Sequence, residues 1–243
     1  MQALVLAGGK GTRINESNAK LPKWLLPTHD GTPIIRRLLV QLKTLGIPRI
    51  IVASGPSITY ADVIKALAYD IYPNLEIHAD SGKNTLEAIY EASSLFYTNE
   101  DVVISVADTV VTLDALRSVV FNKGSATMLA AMPSDIDNDY MKVSLRDGCV
   151  VEMAKDLDVS RCDAIAVGTI HKISAKDIPM YQIALINARS QARERHITNA
   201  HSDWALPIAA KLGVKIQGVF VKDGEWAEVD TKADLTYMRQ LSI

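Results

Sequence analysis

The sequence predicts an α/β protein built on a Rossmann-like, doubly wound, mostly parallel but mixed sheet with helices on both faces, plus a β-hairpin and a C-terminal helix. Short apolar segments typical of buried strands alternate with longer segments of helical periodicity through the first half of the chain. Glycine and proline residues separate these segments. With 243 residues, 48% of them hydrophobic, the chain suits a single domain.

The first half alternates strands and helices around one long loop. Residues 2–7 are apolar and stop at Gly8-Gly9, as a buried strand does. Residues 8–32 have no periodicity and carry four glycines and two prolines, which predicts a loop of the length that is often functional. The following elements are a helix over residues 33–45, a strand over 49–54, a helix over 60–72 and strands over 75–79 and 101–107.

A further helix is predicted between the last two of these strands. Asn84 can cap it, and Glu87, three residues later, can complete a capping box. One face of this helix is marked by Leu86, Ile89, Ser93 and Phe96.

The second half extends the sheet with a hairpin and ends in a helix. Residues 142–145 and 150–153 flank Arg146-Asp147-Gly148-Cys149, which indicates a β-hairpin. The other predicted strands cover residues 126–132, 164–170 and 214–221, and the other helices cover 180–195 and 202–212. Thr231 is expected to cap a last helix that ends at Leu241.

Composition excludes several classes of protein. The net charge of −2 gives no global basic field for nucleic acid. Apolar runs such as residues 102–106 are too short to cross a membrane, and the N-terminus lacks the basic start of a signal peptide. Cys149 and Cys162 have no metal-type spacing and suit reduced thiols. A cytoplasmic protein without nucleic-acid or membrane partners is therefore expected.

The glycine loop after the first strand is the strongest local signal. Three glycines allow the backbone to approach a ligand and to turn its N–H groups toward an anion, and Arg13 adds a forked cation suited to phosphate. The segment runs Leu6, Ala7, Gly8, Gly9, Lys10, Gly11, Thr12, Arg13. It is neither a Walker A loop nor a dinucleotide fingerprint, because no Lys-Ser/Thr pair follows and Ile14 replaces the third glycine. Without further support it is equally consistent with a plain strand-to-loop turn.

The Pro22-Lys23 pair follows this loop. Together, the Gly-Gly-x-Gly-Thr-Arg loop and this pair resemble the signature of the nucleotidyltransferase superfamily. The resemblance implies that Gly8, Gly9, Gly11 and Arg13 wrap a nucleoside triphosphate and that Lys23 contacts its α-phosphate. Lys23, Arg13 and Asp108 are thus the expected catalytic residues.

Two aspartates extend the resemblance along the chain. Val103-Ile-Ser-Val-Ala-Asp108 is similar to the family strand that ends in a metal-binding aspartate, and Glu228-Val-Asp230 is similar to the C-terminal motif that completes a Mg²⁺ site. The resemblance therefore implies Mg²⁺, replaceable by Mn²⁺, on Asp108 and Asp230. Taken singly, a carboxylate at a strand end or near a helix start also suits capping.

Within the superfamily, the small cytidylyltransferases that act on phosphocholine or inositol phosphate are the most similar. Residues 80–87 resemble the asparagine-bearing segment of these enzymes, and this resemblance favours CTP as the nucleotide. A tryptophan directly after the Pro-Lys pair, as at Trp24, is unusual for the family. The expected nucleotide-binding residues are Leu6, Ala7, Gly8, Gly9, Gly11, Thr12, Arg13, Lys23, Ser81, Asn84 and Ala107.

The acceptor residues are expected in the second half. Similar proteins hold the acceptor's phosphate with a lysine near Lys142 or Lys155, and Asp203-Trp204 can wall the acceptor pocket. A solvated hairpin lysine and a core tryptophan are the alternatives. His196 and His201 are off the i,i+4 spacing of a metal pair on one helix face. The chain divides into a nucleotide-binding half, residues 1–110, and an acceptor-binding and metal-completing half, residues 111–243.

The sequence as a whole predicts transfer of CMP from CTP to a small phosphorylated acceptor, with release of pyrophosphate. Polysaccharide or capsule precursor biosynthesis is the implied setting, and a homo-oligomer is possible. The first alternative is a sugar-1-phosphate nucleotidyltransferase that uses UTP, dTTP or GTP. A non-catalytic regulatory subunit of the same fold is the second, and Lys23, Asp108 and Asp230 argue against it. A glycosyltransferase would need no Gly-loop and Lys23 pair.

Overall fold

A computed structural model describes residues 1–8, 21–56, 58–133, 136 and 140–241. The strands are β1 (Gln2–Leu6), β2 (Arg49–Ala53), β3 (Glu76–His78), β4 (Val102–Val106), β5 (Thr109–Val111), β6 (Ser125–Ala130), β7 (Lys142–Arg146), β8 (Cys149–Ala154), β9 (Ala164–Ile173), β10 (Ile216–Val221) and β11 (Trp226–Glu228). The α-helices are α1 (Ile34–Thr44), α2 (Ile58–Ala68), α3 (Thr85–Ala92), α4 (Leu113–Val120), α5 (Ile178–Glu194), α6 (Ala205–Lys211) and α7 (Lys232–Gln240).

The main sheet has the order β3-β2-β1-β4-β9-β6-β10-β8-β7. Strands β3, β2, β1 and β4 are parallel, so their carboxyl ends lie at one edge of the sheet. Strand β9 is antiparallel to β4 and β6, and β10 is parallel to β6. The predicted mixed α/β sheet is confirmed, and antiparallel pairing is confined to its second half.

Helices cover both faces of this sheet, as the doubly wound prediction requires. Helices α3, α5 and α6 share one apolar cluster with the sheet, and α1, α2 and α4 share the other. The four residues predicted to mark one face of this helix, Leu86, Ile89, Ser93 and Phe96, are all buried, but α3 ends at Ala92, so the last two lie beyond it. Burial of both sheet faces explains why the strands are almost uniformly apolar.

A second sheet of two strands lies beside the main one. Strands β5 and β11 pair in antiparallel register, with Glu228 opposite Thr109. Val110, Ala227, Val229 and Met238 bury a small apolar cluster between this pair and α7. Strands β5 and β11 were not predicted, because three residues are too short to show a period, and the eight-residue helix α4 was not predicted either.

The helix caps confirm two predictions and correct one. Asn84 accepts a hydrogen bond from the Glu87 backbone N–H at 2.9 Å and so caps α3. The predicted capping box is wrong, because the Glu87 carboxylate instead accepts from Arg189 of α5. Thr231 caps α7, and Asp234 completes a capping box there.

The predicted hairpin is also confirmed. Strands β7 and β8 are joined at Asp147 and Gly148, whose φ angles of 52° and 73° fit a two-residue turn. Among the described helices, none combines the length and the apolar character needed to cross a bilayer.

Candidate functional site

The carboxyl ends of β1 and β4 form the floor of the candidate site. Leu6 lies in register with Val106, and the Ala107 N–H donates to the Leu6 carbonyl at 2.9 Å. Asp108 follows immediately, so its carboxylate lies where ligands of open α/β sheets bind.

Gly8 leaves the end of β1 close to the backbone of Gly55. A Cβ added at Gly8 would lie 3.8 Å from the Gly55 nitrogen, and Gly55 itself has a φ of +71°. The 3.8 Å distance is an ordinary van der Waals contact, whereas the positive φ favours glycine at position 55. The predicted site residues Gly9, Gly11, Thr12 and Arg13 lie outside the described residues.

Lys23 reaches the site from a short 3-10 turn, Lys23–Leu25. The next residue, Trp24, is only 1% exposed and packs edge-on against Tyr60, with the ring centroids 5.7 Å apart. Burial of this large ring fixes the turn against the core and thereby positions the lysine. The unusual tryptophan is thus an anchor in the wall of the site.

Asp230 is brought to Asp108 by the β5–β11 ladder. The register pairs Glu228 with Thr109, and the Val229 N–H donates to the Asp108 carbonyl at 3.3 Å. The Asp230 N–H donates to Asp234 at 3.0 Å, which joins the residue to the capped start of α7. Two residues distant in sequence therefore become neighbours through a three-residue ladder.

The Lys23 ammonium lies between the two aspartates. It contacts Asp230 Oδ1 directly and lies 3.4 Å from Asp108 Oδ2. The Lys23 residue is buried, whereas the Asp108 and Asp230 side chains are 31% and 39% exposed. The two carboxylates thus converge on one point that remains open to solvent on their own side.

The electrostatics of this group follow from its charges. Burial raises the pKa of Asp108 above its usual value, and the Asp230 charge adds to this, while the Lys23 ammonium opposes it. For Lys23, burial acts to lower the pKa, but the two carboxylates outweigh it and raise the pKa. Lys23 is therefore a cation that holds two mutually repelling anions together.

The donor set fits Mg²⁺ as a partly protein-bound ion. Among the described residues, no group of three His, Cys, Asp or Glu side chains could hold a metal ion. Asp108 and Asp230 supply two carboxylates at one point, and Mg²⁺ is commonly bound by one or two carboxylates together with substrate phosphates and water. The residues present are consistent with such an ion.

A cavity of about 410 Å³ opens beside these residues. Its volume is in the range of small-molecule sites. The residues that line it include Leu6, Gly8, Lys23, Trp24, Asp80, Gly82, Lys83, Asn84, Ala107 and Asp108. Five of the predicted nucleotide-binding residues, Leu6, Gly8, Lys23, Asn84 and Ala107, therefore surround one space, and Ala7 is buried beneath it.

Buried Asp80 organises the wall formed by residues 80–84. Its carboxylate accepts hydrogen bonds from the backbone N–H groups of Gly55 and Gly82, each at 2.7 Å. Gly82 has a φ of +64°, and a Cβ there would lie 2.6 Å from Pro56. Ser81, another predicted nucleotide residue, is exposed, and its N–H donates to Glu91 at 2.7 Å.

The three predicted acceptor residues lie in the second half of the chain: Lys142 begins β7, Lys155 directly follows β8 and Asp203 lies in a 3-10 turn. Lys142 is 2% exposed, and its ammonium donates to the Lys155 carbonyl, so it supports the hairpin end from within. Lys155 interacts electrostatically with Asp203 and His201. Burial of the His201 ring lowers its pKa to about 4, and the positive charge of Lys155 acts in the same direction to a smaller extent.

Asp203 is a buried carboxylate. It is 5% exposed and accepts a long hydrogen bond from Thr169 Oγ1 at 3.5 Å. Burial raises the pKa of Asp203 to about 7, although the Thr169 hydroxyl and the Lys155 charge oppose this. Asp203 and Lys155 therefore lie close enough to interact electrostatically, and Lys142 binds the backbone carbonyl of Lys155.

Glu228 lies within the electrostatic influence of Asp108 and Asp230 and was not predicted as a site residue from the sequence. The Gly168 N–H donates to its carboxylate. Burial raises the pKa of Glu228 to about 7, and the charges of Asp108, Asp230 and Asp203 act in the same direction. Its spacing from Asp230 could have indicated this in the sequence, because residues two apart on an extended strand share a face.

The fold and the site together define a class of protein: a nucleotidyltransferase of the α/β type, with Gly8, a lysine and two aspartates at the carboxyl edge of its sheet. Residues 3–165 match the MobA-like NTP transferase domain family. The chain therefore belongs to this family and to the nucleotidyltransferase superfamily.

Solved structures share the fold over nearly the whole chain. The inositol-1-phosphate CTP transferase from T. maritima is similar, with a TM-score of 0.75 and 15% identity over 99% of this chain and 95% of that chain. A putative glucose-1-phosphate thymidylyltransferase from Bacillus anthracis is similar with a TM-score of 0.73 and 19% identity, over 100% of this chain and 95% of that chain. The CTP:phosphocholine cytidylyltransferase from Streptococcus pneumoniae is similar with a TM-score of 0.72 and 16% identity, over 98% of this chain and 97% of that chain.

Proposed function

We propose that this nucleotidyltransferase moves CMP from CTP to a small phosphorylated acceptor, a phosphomonoester or phosphonate, and releases pyrophosphate. The observation that carries the proposal is the convergence of Lys23, Asp108 and Asp230 beside a cavity lined by Gly8, Lys83 and Asn84. A triphosphate needs cations and backbone donors, and the acceptor needs a separate basic contact.

The proposed reaction is a single displacement at the α-phosphorus. The acceptor's phosphate oxygen forms the new P–O bond, and the bond to the β-phosphate oxygen breaks, so pyrophosphate leaves. A phosphomonoester has its second pKa near ~6 and is largely dianionic at neutral pH, so it needs no general base. Catalysis then depends on positioning and charge neutralisation.

Each proposed contact is assigned to named residues. The Lys23 ammonium, held near the end of β1, neutralises charge at the α-phosphate. Gly8, with Arg13, binds the β- and γ-phosphates. Mg²⁺, when bound at Asp108 and Asp230, supplies positive charge that offsets repulsion between these carboxylates and the phosphates. Lys155, beside Asp203, holds the phosphate of the acceptor.

The cytosine preference rests on residues 80–87. Asp80 and Gly82 form a rigid wall of the cavity, and Asn84 and Lys83 lie in the same wall. A wall that hydrogen-bonds the exocyclic amine of cytosine would discriminate strongly against uracil, because its polar groups would be left unpaired. The fold of two CTP-using enzymes is consistent with this preference.

A sugar-1-phosphate nucleotidyltransferase is the second candidate function. The putative thymidylyltransferase covers the chain as completely as the CTP enzymes do. The same Lys23 and aspartate arrangement would serve UTP, dTTP or GTP. The difference between the two functions therefore lies in the base and acceptor, and not in the phosphate chemistry.

Pyrophosphate release tests both candidates. The purified chain is incubated with Mg²⁺, one of CTP, UTP, dTTP, GTP or ATP, and one of phosphocholine, inositol phosphate, a phosphonate or a sugar 1-phosphate. The highest kcat/KM is expected with CTP. A clear preference for UTP, dTTP or GTP with a sugar phosphate would replace the proposal by the second candidate. No release with any pair would contradict both.

A further inference from the structure

A second cavity lies at the edge of the sheet opposite the candidate active site. It measures about 590 Å³ and is lined by Lys123, Gly124, Ser125, Cys149, Lys176, Asp177, Gly213, Lys215 and Gln217. Ser125 begins β6, and Lys215 directly precedes β10. Both strands run in the direction of β4, whose carboxyl end forms the active-site floor, so their starting ends lie at the far edge.

Positive charge dominates this cavity, referred to below as the basic cavity. Three lysines, Lys123, Lys176 and Lys215, line it, and all three are exposed. The structure gives none of these three ammonium groups a carboxylate partner among the residues it describes. Against three positive charges, the lining holds one carboxylate, Asp177.

The nearby acids do not neutralise these lysines. Asp177 accepts a hydrogen bond from the Ser125 hydroxyl at 2.7 Å, which turns one of its oxygens toward the start of β6. Asp101 is paired with the buried Lys172 at 3.1 Å and also accepts from the Ala175 N–H at 2.9 Å. The Lys172–Asp101 pair cancels its own charge, so the lining keeps a net charge of about +2.

We propose that the basic cavity binds a multiply charged phosphate anion, at a site separate from the candidate active site. Three separate ammonium groups suit several phosphate oxygens, because lysine binds phosphate as a point charge. Gly124 and Gly213 have open space where a Cβ would lie, which leaves room for the anion beside the backbone. The volume of about 590 Å³ also accommodates a nucleoside polyphosphate. This inference is independent of the proposed function.

Site-resolved titration tests the inference. Pyrophosphate is added to ¹⁵N-labelled protein without divalent cations, and the amide resonances of Gly124, Gly213 and Gln217 report on the basic cavity. Those of Gly8 and Lys83 report on the active-site cavity in the same spectra. Saturable shifts of the first group are expected, weakening as salt rises, because exposed charges are screened. Linear shifts that never saturate, with pyrophosphate and equally with CTP, would indicate an adventitious ion only and would overturn the proposal.

Two variants of equal charge separate a built site from general electrostatics. Lys176→Gln/Lys215→Gln removes two lysines of the basic cavity, and Lys65→Gln/Lys222→Gln removes two exposed lysines elsewhere. Lys215 and Lys222 flank opposite ends of the same strand, β10, so Lys222 serves as the matched control for Lys215. The first variant is expected to weaken binding at least about 10-fold, which corresponds to about 1.4 kcal/mol. Equal weakening in both variants would overturn the proposal.

A second titration with CTP distinguishes the source of the phosphate. If CTP and pyrophosphate saturate the Gly124 and Gly213 resonances at the same concentration, the polyphosphate alone is recognised. Tighter saturation by CTP assigns a nucleotide as the ligand. Both results support the proposal, and failure of both compounds to saturate these resonances contradicts it.

Discussion

The Lys23 ammonium lies 3.4 Å from the Asp108 carboxylate and also contacts Asp230. In the unliganded chain, Lys23 therefore occupies the position where two carboxylates would otherwise repel each other. A triphosphate that enters the cavity would compete with these carboxylates for the lysine. The position of Lys23 makes its charge important for both stability and turnover.

Lys23→Ala is expected to lower kcat by about 10²–10³, as loss of a contact to transition-state charge does. The substitution is also expected to lower the free energy of unfolding, because Asp108 and Asp230 lose their shared cation. Steady-state kinetics and urea unfolding at pH 7 measure the two effects.

A double variant separates these two effects. Lys23→Ala/Asp108→Asn removes one of the repelling charges and is expected to recover part of the lost stability without recovering turnover. Near wild-type turnover of Lys23→Ala would remove Lys23 from the proposed mechanism, whatever its stability.

The site residues that could be predicted from the sequence are those marked by a pattern of neighbouring residues. Gly8, Lys23 and Asp108 stand at strand ends or in a loop with a recognisable spacing, so sequence patterns located them. The ladder that delivers Asp230 was not predicted, because three-residue strands carry no period. The partner of Glu87 was assigned wrongly, because a distant arginine on α5 competes with the local cap. Burial of Asp203 and Glu228 depends on tertiary packing, which no local pattern encodes.

Lys155→Ala is expected to raise the KM for the acceptor far more than the KM for the triphosphate, because Lys155 lies near Asp203 in the second half. Lys83→Ala is the matched variant, since Lys83 lines the proposed nucleotide cavity, and the opposite pattern is expected for it. Steady-state kinetics with each substrate varied in turn measures both constants. Small, equal effects of Lys155→Ala on both constants would favour a solvated hairpin lysine.

His171 is expected to make the fold sensitive to acid. Complete burial lowers the pKa of His171 to about 3, and its ring lies 3.1 Å from the Tyr181 hydroxyl. Above pH 7 the histidine is neutral in both states. As pH falls below 6.5, only the unfolded chain gains the proton, so stability is lost by about 1.4 kcal/mol per pH unit until about pH 3.

His171→Gln, which does not titrate, should remove this component of the pH dependence. Urea unfolding at pH 7.5, 6 and 5 gives the difference between the parent and the variant at each pH. The exposed His29→Gln serves as a control for the substitution. Parallel stability curves for parent and His171→Gln would show that the buried ring does not resist protonation.

Asp108→Asn and Asp230→Asn are each expected to abolish most of the turnover, and EDTA is expected to abolish that of the parent. Mg²⁺ or Mn²⁺ should restore the parent only. Each variant keeps one carboxylate for Lys23, so its fold should persist, which circular dichroism can check. Full activity in EDTA would exclude the metal, and an active Asp230→Asn would exclude the C-terminal aspartate.

Gly168→Ala is expected to lower both the stability and the kcat by displacing Thr109, the residue after Asp108. Gly168 has a φ of +50°, and a Cβ there would lie 2.5 Å from Thr109 Oγ1. The left-handed backbone costs a residue with a Cβ about 1–2 kcal/mol, and overpacking adds about 1–3 kcal/mol. Thr109 follows Asp108 and pairs with Glu228, so its displacement should also lower kcat.

Two further variants isolate the steric part of the Gly168 effect. Gly124→Ala meets no atom within 4 Å and is expected to leave stability and kcat nearly unchanged. Gly168→Ala/Thr109→Ala removes the hydroxyl that the new methyl group would meet, so it should regain part of the lost kcat relative to Gly168→Ala. The strain of the positive φ would remain, and full stability should therefore not return. If the double variant is no more active than Gly168→Ala, contact with Thr109 does not connect β9 to the carboxylates of Asp108 and Asp230, and the N–H donated by Gly168 to Glu228 becomes the remaining connection.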